Sequence, residues 1–254
     1  LKAAFPIAFK GQVPQDSKLD AVMPADVKCV SILALSDVKN YLSSLESYRY
    51  GAGQIENVRK RKQEFARLFG DKLDEEWQAL LKGEWGKGTL FYDAERKQEE
   101  GIVVVHVKAG SLAKGLLEKM LKSYASKSGI SEASLYRSFA LDKDKKVCYF
   151  KMPIPDFVGV MWGYVLGGIA TNYVLVEDYV VFASSEKGIH SFASHYMHRL
   201  SVRDQEWYQK VRTKLSSKFN WMYLSEMVSM LPYYEQVTKG GLRELLMRNE
   251  EEME

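Results

Sequence analysis

Hydrophobic and polar positions along this chain switch between a period of two and a period of about 3.6, and the switches mark its elements. "VKCVSILAL", Val27 to Leu35, is a β-branched apolar run of strand length. Ser36 follows it as the expected cap of a helix, with Asp37 in the first turn where an acid suits the positive helix end. Val38, Tyr41, Leu42 and Leu45 give that helix its apolar stripe. A second helix is predicted over 55–69 with Ile55, Val58, Phe65, Leu68 and Phe69 inward, and a third over 73–81 with Trp77 and Leu80 inward.

The period then shortens. "GTLFYD" and "GIVVVHVKA" read as two strands joined by the polar "AERKQEE", and "SLAKGLLEKMLKSYA" follows as a Ser-capped helix. The same strand, strand, helix order returns in "TNYVLV" and "YVVFASS", which turn at Glu177 and Asp178 and run into "SEKGIHSFASHYMHRL". There Ile189, Phe192, Ala193, Tyr196 and Leu200 mark one buried face. Between the two units "KKVCYFKM" is a further strand. After them a helix over 203–215 is predicted to turn Trp207, Val211 and Leu215 inward.

One pattern links the two ends. "WMYLSEMVSML", Trp221 to Leu231, echoes "ILALSDVKNYL", Ile32 to Leu42: Leu224, Ser225, Glu226 and Leu231 fall on Leu35, Ser36, Asp37 and Leu42. Each segment reads as a strand entering a Ser-capped helix with an acid in its first turn. A spacing of about 190 residues is too long for a solenoid repeat. It implies a duplicated half with a boundary near 217, against the alternative that strand followed by capped helix is common grammar. The fold class expected is α+β, an antiparallel sheet with helices packed on it and built from repeated strand-strand-helix units. Residues 1–26, broken by Pro6, Pro14 and Pro24, form an irregular lead-in to a single domain over 27–254.

Composition narrows the class without giving a task. At 254 residues, 46% hydrophobic and 27% charged, the chain is an ordinary folded one that needs neither metal nor disulfide framework. Its net charge of +3 is too near balance to imply nucleic acid. Cys29 and Cys148 both sit in predicted strands, so they pair only if the compartment oxidises, and two small buried thiols are the plainer reading. Leu1 stands where a Met would open a chain, which implies removal of an upstream segment, and no signal peptide is visible.

The run "FVGVMWGYVLGGIATNYVLV", Phe157 to Val176, carries no charge and tempts a transmembrane reading. Its glycines, Thr171 and Asn172, and the alternation resuming at Tyr173 divide it better into a buried glycine-rich loop or short helix to about Ala170 and then a strand.

Candidate chemistry is sparse. His195 and His198 are three apart and could share a metal, yet the helical wheel sends both to solvent and no acid completes a zinc-hydrolase spacing. "RKRKQEFAR" is the strongest basic cluster, with Lys60, Arg61 and Arg67 able to meet phosphate, although Glu56, Glu64 and Asp71 dilute its field. "SYRYG" places Tyr48, Arg49 and Tyr50 in an expected loop, a composition favoured in recognition surfaces, or else covering the core edge. No GxSxG elbow, phosphate loop, dinucleotide fingerprint or paired-cysteine metal spacing occurs, and no cofactor is expected.

"MPAD" at Met23 to Asp26, the hairpin of Tyr173 to Ile189 and the "NxxxYL"-like strand of Asn220 to Leu224 together resemble a family of bacterial extracytoplasmic domains of unknown function. Members open with Leu-Pro-Ala-Asp, so Met23 departs from the pattern in one residue. The resemblance implies an envelope location behind an N-terminal membrane anchor, with membrane contact through that anchor rather than this domain, and it supplies no catalytic residues. The reading is a non-catalytic binding or scaffold module whose partner is an unknown protein or envelope ligand. Its rival is a hydrolase with a cleft near the glycine-rich loop 159–168 and His106 or His195 as base.

Overall fold

A computed structural model describes residues 5–95, 98–143, 145–168 and 170–237. A short 3-10 turn and strand β1 (Gln15–Asp16) lead to β2 (Cys29–Ala34), then α1 (Val38–Gly51), α2 (Ile55–Phe69) and α3 (Leu73–Leu80). The long β3 (Leu81–Asp93) and β4 (Gln98–Val107) precede α4 (Gly110–Ser128). The hairpin β5 (Tyr136–Asp142) and β6 (Lys145–Lys151) follows, then α5 (Phe157–Trp162), β7 (Asn172–Val176), β8 (Tyr179–Ala183) and α6 (Glu186–His198). The chain continues with α7 (Glu206–Arg212), β9 (Lys218–Phe219), β10 (Trp221–Ser225) and α8 (Met227–Val237).

Eight strands form one antiparallel sheet in the order β10-β2-β3-β4-β8-β7-β6-β5, and β1 pairs with β9 apart from it. The α+β class expected from the periods is the one found. Alternation along each strand divides the core into two layers. Leu33, Trp85, Val103, Val105, Val180 and Phe182 face α1 to α5. Val30, Ile32, Ile102, Val104, Val181 and Met222 face α6, α7 and the segment around Leu19 and Met23. Leu19 and Met23 are wholly buried, so part of the irregular lead-in is core. It is fastened by Arg203 and Tyr208, both bound to the buried Asp20 carboxylate.

The uncharged run resolves into α5, a 3-10 turn and β7, as its division predicts. Phe157 and Trp162 are buried because α5 lies against Trp77 and Phe182, with ring centroids of Trp77 and Trp162 5.1 Å apart and edge-on. Gly163 ends α5 at φ +110, where a side chain would be strained and would meet Tyr41 and Leu45. Among the described residues no helix is long and apolar enough to cross a membrane.

Several local expectations need correction. Asp37, not Ser36, caps α1 by accepting from the Asn40 amide, because Ser36 Oγ is taken by the Val13 amide. No serine caps α4: the helix starts one residue earlier, at Gly110, and its amide is held by Asp178. Leu200 is 53% exposed, since Arg199 ends α6 in a left-handed turn and carries the chain off the helix. Val211 and Leu215 are exposed as well, and Tyr208 takes the inward position of a helix that stops at Arg212. Tyr136 to Asp142, read as no element, is edge strand β5. The two strand-strand-helix units meet at β4 and β8 but place α4 and α6 on opposite layers. The echoing segments lie side by side, β10 antiparallel to β2 with Tyr223 across from Ser31.

Candidate functional site

One end of the sheet opens into a cleft of about 1240 Å³. Its floor is the start of β4 and the end of β8, from Glu99 to Val103 and from Phe182 to Ser185. Val158, Gly168, Ala170 and Thr171 wall one side, and His190, Ser191 and His195 of α6 wall the other with Asp26. Period-two geometry explains the arrangement: adjacent Glu99 and Glu100 point to opposite layers, so each brings a carboxylate to a different side of the sheet end.

Each carboxylate has donors built around it. Glu100 Oε1 accepts from Ser184 Oγ and Ser185 Oγ, both at 2.8 Å. Ser185 also caps α6 by accepting from the Lys187 amide. The chain's own carboxylate therefore sits where an anion would otherwise be drawn to the start of that helix. Glu99 binds Lys87 Nζ at 2.6 Å and accepts from Thr89 Oγ1. Ser184 Oγ accepts from the Gly101 amide at 2.9 Å, and Thr171 Oγ1 donates to the Ser184 carbonyl, tying the glycine-loop wall to the floor.

Ser191, Asp26 and His195 come together on the second wall, but their order is wrong for a nucleophile. Ser191 Oγ donates to Asp26 at 2.8 Å. His195 Nδ1 lies 2.9 Å from the Ser191 carbonyl, which can only accept, so that nitrogen carries the proton and cannot take one from the hydroxyl. The cleft is thus lined by carboxylates, hydroxyls and apolar patches.

Of the candidate side chains read from the sequence, His195 falls in the cleft and the others lie elsewhere. His195 is a half-buried cleft residue, a correction to its expected solvent position, because Asp26 of the lead-in packs beside it at 3.6 Å. His198 is exposed and its Nδ1 donates to the Ser194 carbonyl. Among the described residues no group of three or more His, Cys, Asp or Glu is placed to hold a metal. His106 lies outside the cleft, between Glu84 at Nδ1 and Lys82 at Nε2, each 3.0 Å away, and stacks on Tyr179. Burial alone would raise the Glu84 carboxyl, but the hydrogen bonds from His106 and the Lys18 amide outweigh it and hold it below the usual range.

Tyr48, Arg49 and Tyr50 are the last full turn of α1 rather than a loop, since the helical pattern continues to Gly51. Arg49 is buried and donates to the Gly159 carbonyl at 2.8 Å, Tyr48 packs on the core, and Tyr50 is exposed. The three side chains do not form one surface. In the basic cluster Arg61 is gripped by Asp156 through two nitrogens and by Glu64, while Lys60 and Arg67 lie exposed on α2. Cys29 and Cys148 are free thiols, with four strands of the sheet between β2 and β6; Cys29 is buried, but Cys148 is exposed, a correction to the expectation of two buried thiols.

Glu99, Glu100, Ser184 and Asp26 were missed as site residues because sequence order scatters them among a polar linker, a strand end and the lead-in. The one signal that could have pointed here is the Ser-Ser-Glu order of 184–186 at a strand-to-helix junction, where Ser185 proves to be the cap of α6. No protein-family model matches the chain, no curated protein matches it, and no solved structure matches it.

Proposed function

We propose that the chain is a non-catalytic binding module of the bacterial cell envelope, which seats a polar ligand in the cleft at the sheet end. The carrying observation is the Glu100 carboxylate fixed by Ser184 and Ser185 beside an opening of about 1240 Å³. Hydrogen-bonding groups already oriented by neighbours lose little freedom on binding, which favours a ligand seat. The resemblance of the Met23 to Asp26 phrase and the Tyr173 to Ile189 hairpin to extracytoplasmic domains supports the envelope location. Asp26 of that phrase and Ser184 of that hairpin both line the cleft.

Gly168 and His195 line the same cleft, and this favours the hydrolase as the second reading. Ligand-observed NMR against soluble muropeptides, neutral oligosaccharides and polyamines separates the two. The module reading expects reversible binding that Gly168→Trp weakens at least tenfold, with no ligand consumed. Turnover of any of them, binding untouched by Gly168→Trp, or recovery of the protein wholly from the cytosol of fractionated cells overturns it.

A further inference from the structure

Among the described residues the sheet has two edges, β10 and β5, and their residues treat the exposed backbone differently. Strand β5 carries Arg137 and Asp142, faces Lys145 and Lys146 across its hairpin, and has a register shift between Ala140 and Asp142. Charge and irregularity of this kind blunt an edge against pairing. Strand β10, Trp-Met-Tyr-Leu-Ser, has no charge, proline or glycine, and it pairs with β2 over five consecutive residues without a shift. Met222 and Leu224 are buried on one side, while Trp221 and Tyr223 stand 42% and 45% exposed on the other. Val228, just past the strand, is 85% exposed.

The direction of the main chain follows from two hydrogen bonds. The Ala34 amide donates to the Asn220 carbonyl, and the Glu226 amide donates to the Lys28 carbonyl. Residues of that parity therefore face β2, and antiparallel alternation turns the N–H and C=O of Tyr223 and Ser225 outward.

We propose that this edge joins two copies of the chain, β10 to β10 antiparallel about a two-fold axis at Tyr223. A two-fold interface must be complementary to itself, and this register meets that demand. The two Tyr223 residues exchange both main-chain hydrogen bonds and set their rings side by side. Met222 opposes Leu224 of the other copy, which keeps the apolar layer continuous across the junction. Glu226 opposes Asn220, so no like charges meet, and Glu226 is already neutralised by Lys28 at 2.9 Å.

Sedimentation velocity over a hundredfold concentration range tests the pairing on the whole chain. The native protein should dimerise reversibly, and Tyr223→Lys, which sets two cations face to face, should weaken the dimer at least tenfold. Circular dichroism checks that the variant stays folded. A second arm does not depend on it: with Cys29→Ser and Cys148→Ser removing the native thiols, Tyr223→Cys should oxidise to a covalent dimer. Opposed α-carbons in a hydrogen-bonded pair lie about 5.5 Å apart, within disulfide reach. Phe139→Cys on β5 should stay monomeric under the same oxidant. A monomeric native protein, a dimer indifferent to Tyr223→Lys, or equal cross-linking at both edges overturns the proposal.

Discussion

Asp178 Oδ1 accepts a hydrogen bond from the Gly110 amide at 2.7 Å, so the turn of the β7–β8 hairpin closes the start of a helix 68 residues earlier. A cap supplied from elsewhere in the fold still satisfies an amide that α4 cannot satisfy itself. Asp178→Ala should cost about 1 kcal/mol by urea denaturation, the usual worth of a cap. Gly110→Ala should cost distinctly more, because its new Cβ would stand 1.9 Å from the Glu177 carbonyl oxygen. Equal losses would mean that the close approach relaxes freely.

Alkaline unfolding should be steep. Burial raises the phenols of Tyr41, Tyr173 and Tyr208 above their ordinary value, and all three are almost wholly buried. A raised value means that their stabilisation is complete below pH of about 10 and is lost as pH climbs from there through the folded values. Three such groups give a slope of about 4 kcal/mol per pH unit. Melting followed between pH 8 and 11 checks it: exposed phenols such as Tyr50 ionise in the folded protein, and a further step of tyrosinate absorbance should appear only as the protein unfolds.

His106→Leu should lower stability by about 1–3 kcal/mol at neutral pH, since it removes a donor to the Glu84 carboxylate. Glu84 is held below its ordinary value, so the contribution is present above about pH 4.5 and fades as acid protonates the carboxyl. The gap between native and variant melting temperatures should narrow on going from pH 7 to pH 4. A constant gap would assign the loss to packing on Tyr179 instead.

The two cysteines should differ in reactivity. Cys148 is exposed, whereas Cys29 is buried and its thiol is pushed up by that burial, which keeps the thiolate scarce. A thiol reagent should label Cys148 within the mixing time of a folded sample and Cys29 only on addition of denaturant. No titratable thiol in either state would show that the pair is oxidised.

The sequence was most legible where one period ran long. Helix α2 falls on its expected bounds because Val58, Phe65 and Phe69 repeat cleanly on one face, and the β7–β8 hairpin is found because its apolar runs flank a tight acidic turn. Helix starts were less legible, since Ser36 and Ser111 look like caps while Asp37 and the distant Asp178 satisfy the amides. Asp37 and Glu226, matched in the echo, do both stand immediately before a helix. Tyr48 to Tyr50 looked like a loop because glycines follow, but glycine only ends the helix there. The cleft was the least legible feature, because Asp26, Glu100 and Ser184 meet only after β4 and β8 have paired.

Strand β2 and its outer neighbour β10 leave the ribosome far apart in time: Ser31 and Trp221, joined through the indole, are 190 residues apart. At typical elongation rates that is a wait of roughly 10–40 s. Throughout it the outer main-chain edge of β2 has no strand to pair with, although Leu33 can already pack against α1 and Val30 and Ile32 against Leu19 and Met23. An unpaired edge left open for that long is a template for pairing with other chains, so shielding it during synthesis should raise the yield of folded protein.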